Sequence, residues 1–295
     1  MWVLLEINTL SFCSVMKMNQ KENSQESMES LMKYFIIQSI ASSILLISMV
    51  YMKYNTNVMG VVVVAGPASV MIKAGAAPFH QWFVNISKKL KWSLNSLLFT
   101  WQKLAPIYLI VYQYKVILIV FIVMSSMIGS VSMVNKKDLK EIMALSSVFN
   151  LSWMILAVIV STKMLIMFSS LYWMTLLFAL IYFYKVKGST LSKLKTSSNK
   201  WVFLFMMVNL AGLPPLMGFT AKWMTMLSTL KMNVSFVVTF LLVISTINLY
   251  IYFRIASPIS IPQSKGMQKS VSWENSLITS TFIMMNTIVL LSVFM

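Results

Sequence analysis

GVVVVAGPASVMIKAGAAPFHQW, residues 60–82, decides the fold. The run is apolar for long enough to cross about 30 Å of hydrocarbon. It nevertheless carries Lys73, set between Pro67 and Pro78 with Gly66 and Gly75 alongside. Proline removes an intrahelical hydrogen bond, and glycine tolerates the backbone angles of a break. The stretch therefore reads as a membrane helix that unwinds beside a charge. Unwound backbone at that depth is tolerated only where protein or a water-filled cavity receives it.

Working outward, the same device recurs in NLAGLPPLMGFTAKWM, residues 209–224, where Gly212, Pro214, Pro215 and Gly218 precede Lys222. Apolar segments predict ten spans, at about 1–16, 31–52, 57–80, 93–114, 115–134, 139–160, 164–186, 200–230, 232–254 and 273–295. The two broken spans are the third and the eighth, as a five-helix repeat requires. Broken helices at corresponding places in two halves mark inverted-repeat transporters. The expected organisation is one transmembrane domain over 1–295, with a first repeat in 1–114, a second in 115–254 and a C-terminal helix at 273–295.

Composition agrees. Of 295 residues 58% are hydrophobic and 11% charged, and mean hydropathy is +0.79; a soluble domain carries roughly 25% charged residues. The apolar runs are continuous rather than alternating, which excludes a β-barrel and leaves an all-α polytopic bundle. The net charge of +17 first suggests nucleic acid, but the charges are spread over the loops with no basic domain. Cys13 is the only cysteine and His80 the only histidine, so disulfides, structural zinc, iron–sulfur clusters and bis-histidine haem have no ligands here. Odd-numbered loops and their edges hold 17 of the 24 basic residues and even-numbered loops 4. That split predicts odd loops on the side of synthesis. Lysine outnumbers arginine 23 to 1 and methionine reaches 27 residues, as an AT-rich genome reading AUA as methionine would produce. No transit peptide is evident.

Four charges fall inside apolar segments: Glu6, Lys73, Lys103 and Lys222. A charge near the bilayer centre costs roughly 2.5–3.5 kcal/mol even on the lenient insertion scale, so such groups persist by facing a partner or a hydrated path. The bland alternative is a lysine snorkelling to the interface. Burial and a neighbouring opposite charge act on an ionisable group in opposite senses. A Glu–Lys pair can thus exchange protons, a role open to lysine and closed to arginine.

KAGAAPFHQWF at 73–83, LLFTWQKLAPIYL at 97–109, DLKEIMALSSVFNLSWM at 138–154 and the 209–224 stretch, with WVLLEIN at 2–8 and LMKYFIIQSIASSILL at 31–46, resemble the signature segments of the animal subunit-2 family of mitochondrial complex I, NADH-ubiquinone oxidoreductase. They stand in family order across nearly the whole chain. The resemblance implies an antiporter-like fold of two inverted five-helix repeats, with two discontinuous helices. Matched motif by motif, it makes Glu6 the intramembrane glutamate and Lys73 the lysine of the first broken helix. Lys103 becomes the central relay lysine and Lys222 that of the second broken helix. Pro67, Gly75, Pro78, Pro214, Pro215 and Gly218 are the expected helix-break residues. Family members usually carry one more span before WxxLEIN, so the first repeat is expected to be truncated at its N-terminus. They also often carry histidine where Asn150 stands, and an amide has no titratable proton near neutral pH. His80 matches the family, with packing or capping favoured over relay.

The implied function is a core membrane-arm subunit of proton-pumping NADH:ubiquinone oxidoreductase, in the mitochondrial inner membrane with odd loops in the matrix. Its implied partners are other membrane-arm subunits and the lipid bilayer, with no nucleic acid. No cofactor is expected on this chain; NADH, FMN, iron–sulfur clusters and ubiquinone are expected on other subunits. The rival readings are a stand-alone cation/proton antiporter and a structural subunit with vestigial lysines. A membrane hydrolase would need more than seven acidic residues and one histidine can supply.

Overall fold

A computed structural model describes residues 2–19, 25–54, 59–113, 115–186, 200–214, 216–230 and 235–260. The described residues form twelve helices: α1 (Trp2–Asn19), α2 (Gln25–Tyr54), α3 (Met59–Ala74), α4 (Gln81–Lys89), α5 (Trp92–Phe99), α6 (Trp101–Ile110), α7 (Lys115–Met133), α8 (Leu139–Val160), α9 (Thr162–Val186), α10 (Lys200–Ala211), α11 (Met217–Thr229) and α12 (Ser235–Ser260). The expected span at 273–295 lies outside the described residues.

Among the described residues five helices are individually long and apolar enough to cross a membrane: most of α2, then α7, α8, α9 and most of α12. Others fall short because they are halves. The third span stops at Ala74, and the eighth is divided into α10 and α11. Two features differ from the sequence reading. The span expected at 93–114 is also divided, at Thr100 (φ −112°, ψ −74°), into α5 and α6. Thr100 Oγ1 donates to the Ser96 carbonyl at 2.7 Å, the back-bonding by which a hydroxyl bends a helix. Pro67 is not at a break: α3 runs through it to Ala74. An internal proline removes one hydrogen bond, and here the helix bridges that loss.

α8 is the axis. Every residue from Glu141 to Ile159 is buried, and α8 packs against α4, α6, α7, α9 and α11. The perimeter is apolar instead: Val116 and Val120 on α7, Ile166 on α9 and Phe236 on α12 are all exposed. An apolar rim around a fully wrapped helix suits a hydrocarbon solvent.

Among the described residues, charged contacts gather the expected first, third and fifth loops and the edge of the ninth at one end. Lys91 donates to the Asn19 carbonyl, and Lys89 pairs with Glu29 at 2.5 Å. Lys88 and Lys136 clamp Glu141 at 2.7 and 3.0 Å, Lys140 donates to the Leu90 carbonyl at 2.6 Å, and Arg254 donates to the Val134 carbonyl. Glu141 and Asp138 hold the Lys88 ammonium above its ordinary pKa by hydrogen bonding and charge. Lys115, from an even loop, instead reaches the Ile159 carbonyl at the far end of α8.

Candidate functional site

Both helix breaks of the sequence reading close in the same way. Gly75 sits at φ +71° and Gly212 at φ +80°, angles that glycine reaches without a Cβ penalty. At the first, Gly75 N–H donates to Ile72 at 3.1 Å and Ala76 N–H to Met71 at 3.0 Å. At the second, Gly212 N–H donates to Asn209 at 3.1 Å and Leu213 N–H to Val208 at 3.5 Å. Each is a Schellman closure, which satisfies carbonyls left over at a helix end. Side chains add further donors to these helix ends. Trp82 Nε1 donates to Ile72 at 3.1 Å and Gln38 Nε2 to Lys73 O at 3.4 Å, while Lys222 Nζ donates to Ala211 O at 3.1 Å.

The lysines lie on opposite sides of their breaks. Lys73 belongs to the last turn of α3, before Gly75; Lys222 belongs to α11, after Gly212. Lys222 thus places its ammonium at the C-terminus of α10, where the macrodipole favours a cation. Pro78 falls in the turn between α3 and α4, and Pro214 between α10 and α11; Pro215 is outside the described residues. Gly218 lies in the first turn of α11 and receives the broken end closely. A Cβ built there would stand 2.0 Å from the Asn209 carbonyl oxygen. Its N–H donates to Asn209 Oδ1 at 3.1 Å, supplying a partner for an orphan donor of α11.

Glu6 on α1 faces Lys73, with Oε1 and Nζ 3.9 Å apart. Both atoms are buried and neither has a hydrogen bond among the described residues. Lys103 is 2% exposed. Its Nζ donates to Ser147 O and Oγ, both at 3.1 Å, and lies 4.6 Å over the Phe83 ring. Lys222 Nζ stands 5.6 Å over the Phe149 ring and lines a small cavity shared with Asn150. Lys103 and Lys222 thus meet α8 within one turn of each other, at Ser147 and at Phe149–Asn150. His80 stays apart: it precedes α4, and its Nδ1 lies 3.2 Å from the Pro78 carbonyl.

Ser147, Asn209, Tyr172 and Glu141 were not legible as site residues from sequence alone. Ser147 and Asn209 do stand inside the quoted motifs, next to the breaks and lysines they serve. Tyr172 is one aromatic among many in α9.

The family model described as NADH:quinone oxidoreductase/Mrp antiporter, TM, matches residues 1–248. The chain belongs to this family. Among curated relatives, the NADH-ubiquinone oxidoreductase chain 2 of Artemia franciscana is 36% identical over 87% of this chain and 81% of its own length. That of Anopheles gambiae is 34% identical over 86% and 77%. Among solved structures, a chain of respiratory complex I from Thermus thermophilus with bound aureothin superposes with a TM-score of 0.81 at 20% identity, over 99% of this chain and 73% of that one. The expected fold, an antiporter-like helical membrane subunit, is the fold of this family.

Proposed function

We propose that this chain is a membrane-arm subunit of a proton-translocating NADH:ubiquinone oxidoreductase, and that Glu6, Lys73, Lys103 and Lys222 carry protons through it. The observation that carries the reading is the arrangement of three lysines around helix breaks and a fully buried α8. Lys103 bonds to α8 at Ser147, Lys222 shares a cavity with Asn150 of α8, and Lys73 faces Glu6 without a closed hydrogen bond. Kinship with NADH-ubiquinone oxidoreductase chain 2 supports the assignment to that complex.

Energy arrives, in this reading, as a change of field at the Glu6–Lys73 pair. At an effective dielectric of about 20, two unit charges about 4 Å apart attract by about 4 kcal/mol. That is comparable to the roughly 2.5–3.5 kcal/mol cost of a lysine in the membrane. Opening or closing the pair is therefore enough to alter the protonation of its neighbours. The halves 1–114 and 115–254 act as two repeats, each with one break closed by a positive-φ glycine. The subunit sits in the mitochondrial inner membrane with its odd loops in the matrix, following the 17-to-4 division of basic residues. NADH, FMN, iron–sulfur clusters and ubiquinone belong to partner subunits, in keeping with a chain that has one cysteine, Cys13, and one histidine, His80.

The test is purification of the native chain from inner membranes. Recovery in a large assembly that oxidises NADH with quinone and takes up protons supports the proposal. Recovery as a small particle that exchanges cations for protons without NADH oxidation favours the stand-alone antiporter.

A further inference from the structure

Beside Lys222 lies a small cavity of about 10 Å³, lined among others by Asn150, Tyr172, Thr175, Asn209, Ala221 and Lys222. Such a volume is close to the minimum for one water, which also needs two to four polar partners. The partners are present and unsatisfied. Tyr172 is 6% exposed and Asn209 1% exposed, and neither the Tyr172 hydroxyl nor Asn209 Nδ2 has a hydrogen bond among the described residues. The Tyr172 hydroxyl faces the Asn150 side chain without closing a bond to it. Asn209 spends its other amide atom, Oδ1, on Gly218 N–H, so its Nδ2 direction is fixed by the helix break itself. Leaving a buried donor unsatisfied costs about 1–3 kcal/mol. Two such groups lining one water-sized space argue for a water between them.

We propose that this cavity holds one ordered water, gripped by Asn209 Nδ2 and the Tyr172 hydroxyl, and that this water is the immediate hydrogen-bond partner through which Lys222 exchanges its proton. The inference rests on the reading of Lys222 as a proton carrier and adds two positioning residues, Tyr172 and Asn209. The water compensates for Asn150, whose amide bonds to Ser146 O at 3.0 Å and cannot titrate. It also explains why the cavity adjoins the break. The unwound turn between Ala211 and Met217 frees the space, and Gly218 lets Asn209 approach.

A high-resolution map of the assembled complex tests the site directly. One water peak about 3 Å from the Tyr172 hydroxyl and the Asn209 amide, typical hydrogen-bonding range, is expected. An empty cavity overturns the proposal. In vesicles, Tyr172→Phe removes one anchor and Ala221→Val fills the space, while Lys222 remains. Assembled complexes of either variant are expected to lose about tenfold in NADH-driven proton uptake, the change produced by about one lost hydrogen bond, with an enlarged solvent deuterium isotope effect. Unchanged uptake and isotope effect in both overturn the water's role. Lys222→Met separates the two ideas. If it stops uptake while Ala221→Val does not, the water fails and the lysine stands. If Lys222→Met pumps normally, the lysine's role fails, and the map alone decides the site.

Discussion

Lys73 Nζ stands 3.9 Å from Glu6 Oε1, and neither atom has a hydrogen bond among the described residues. An optimised buried ion pair would be shorter and multiply bonded, because good geometry is what offsets desolvation. The loose contact suits a pair that opens and closes. Glu6→Gln should leave Lys73 without its counter-charge and lower both NADH-driven proton uptake and complex yield. Breaking one side of a buried pair costs about 3–5 kcal/mol. Adding Lys73→Met to Glu6→Gln should restore complex yield but not pumping. A yield that falls further in the double variant would show that the two residues are not partners.

The second break depends on close backbone contact. A methyl at Gly218 would stand 2.0 Å from the Asn209 carbonyl, whereas one at Gly75 first meets the Phe83 side chain at 3.1 Å. Gly218→Ala must therefore move α11 against α10, at a cost of about 1–3 kcal/mol typical of overpacking. Thermal stability of the assembled complex should fall more for Gly218→Ala than for an alanine on the exposed rim, such as Val116→Ala. Equal melting temperatures would refute the close approach.

Topology has its own check. Asn135 and Lys163 are exposed at opposite ends of α8, at the odd-loop and even-loop ends respectively. In a Cys13→Ser background, Asn135→Cys should react with an impermeant thiol reagent only from the matrix side, and Lys163→Cys only from the other. Labelling of both from one side would overturn the span count between them.

Much of this fold was legible in sequence because membrane spans announce themselves by length. The two glycine–proline breaks were legible because few residues tolerate φ values such as those at Gly75 and Gly212. The break at Thr100 was not. Thr100 returns its hydroxyl to Ser96, but so does Thr225 to Ala221 in an unbroken helix, so nothing in the sequence sets Thr100 apart. Pro67 misled for the converse reason, since a proline flanked by turns of helix need not end it. Intramembrane charge singled out Glu6 and the three lysines. The polar residues around them, Ser147 beside Lys103 and Asn209 and Tyr172 in the cavity beside Lys222, are ordinary in type, and their meaning depends on neighbours far away in sequence.

Lys103 divides relay from scaffold. A scaffold role needs only a cation bonded to Ser147 O and Oγ, which a guanidinium can also supply. A relay needs a group that releases its proton, which arginine does not do. The decisive measurement is NADH-driven proton uptake by sealed vesicles containing assembled Lys73→Arg, Lys103→Arg and Lys222→Arg complexes. The account predicts that uptake falls in each while assembly persists, most steeply for Lys103→Arg. Full pumping by all three would contradict it and leave the lysines as structural ties.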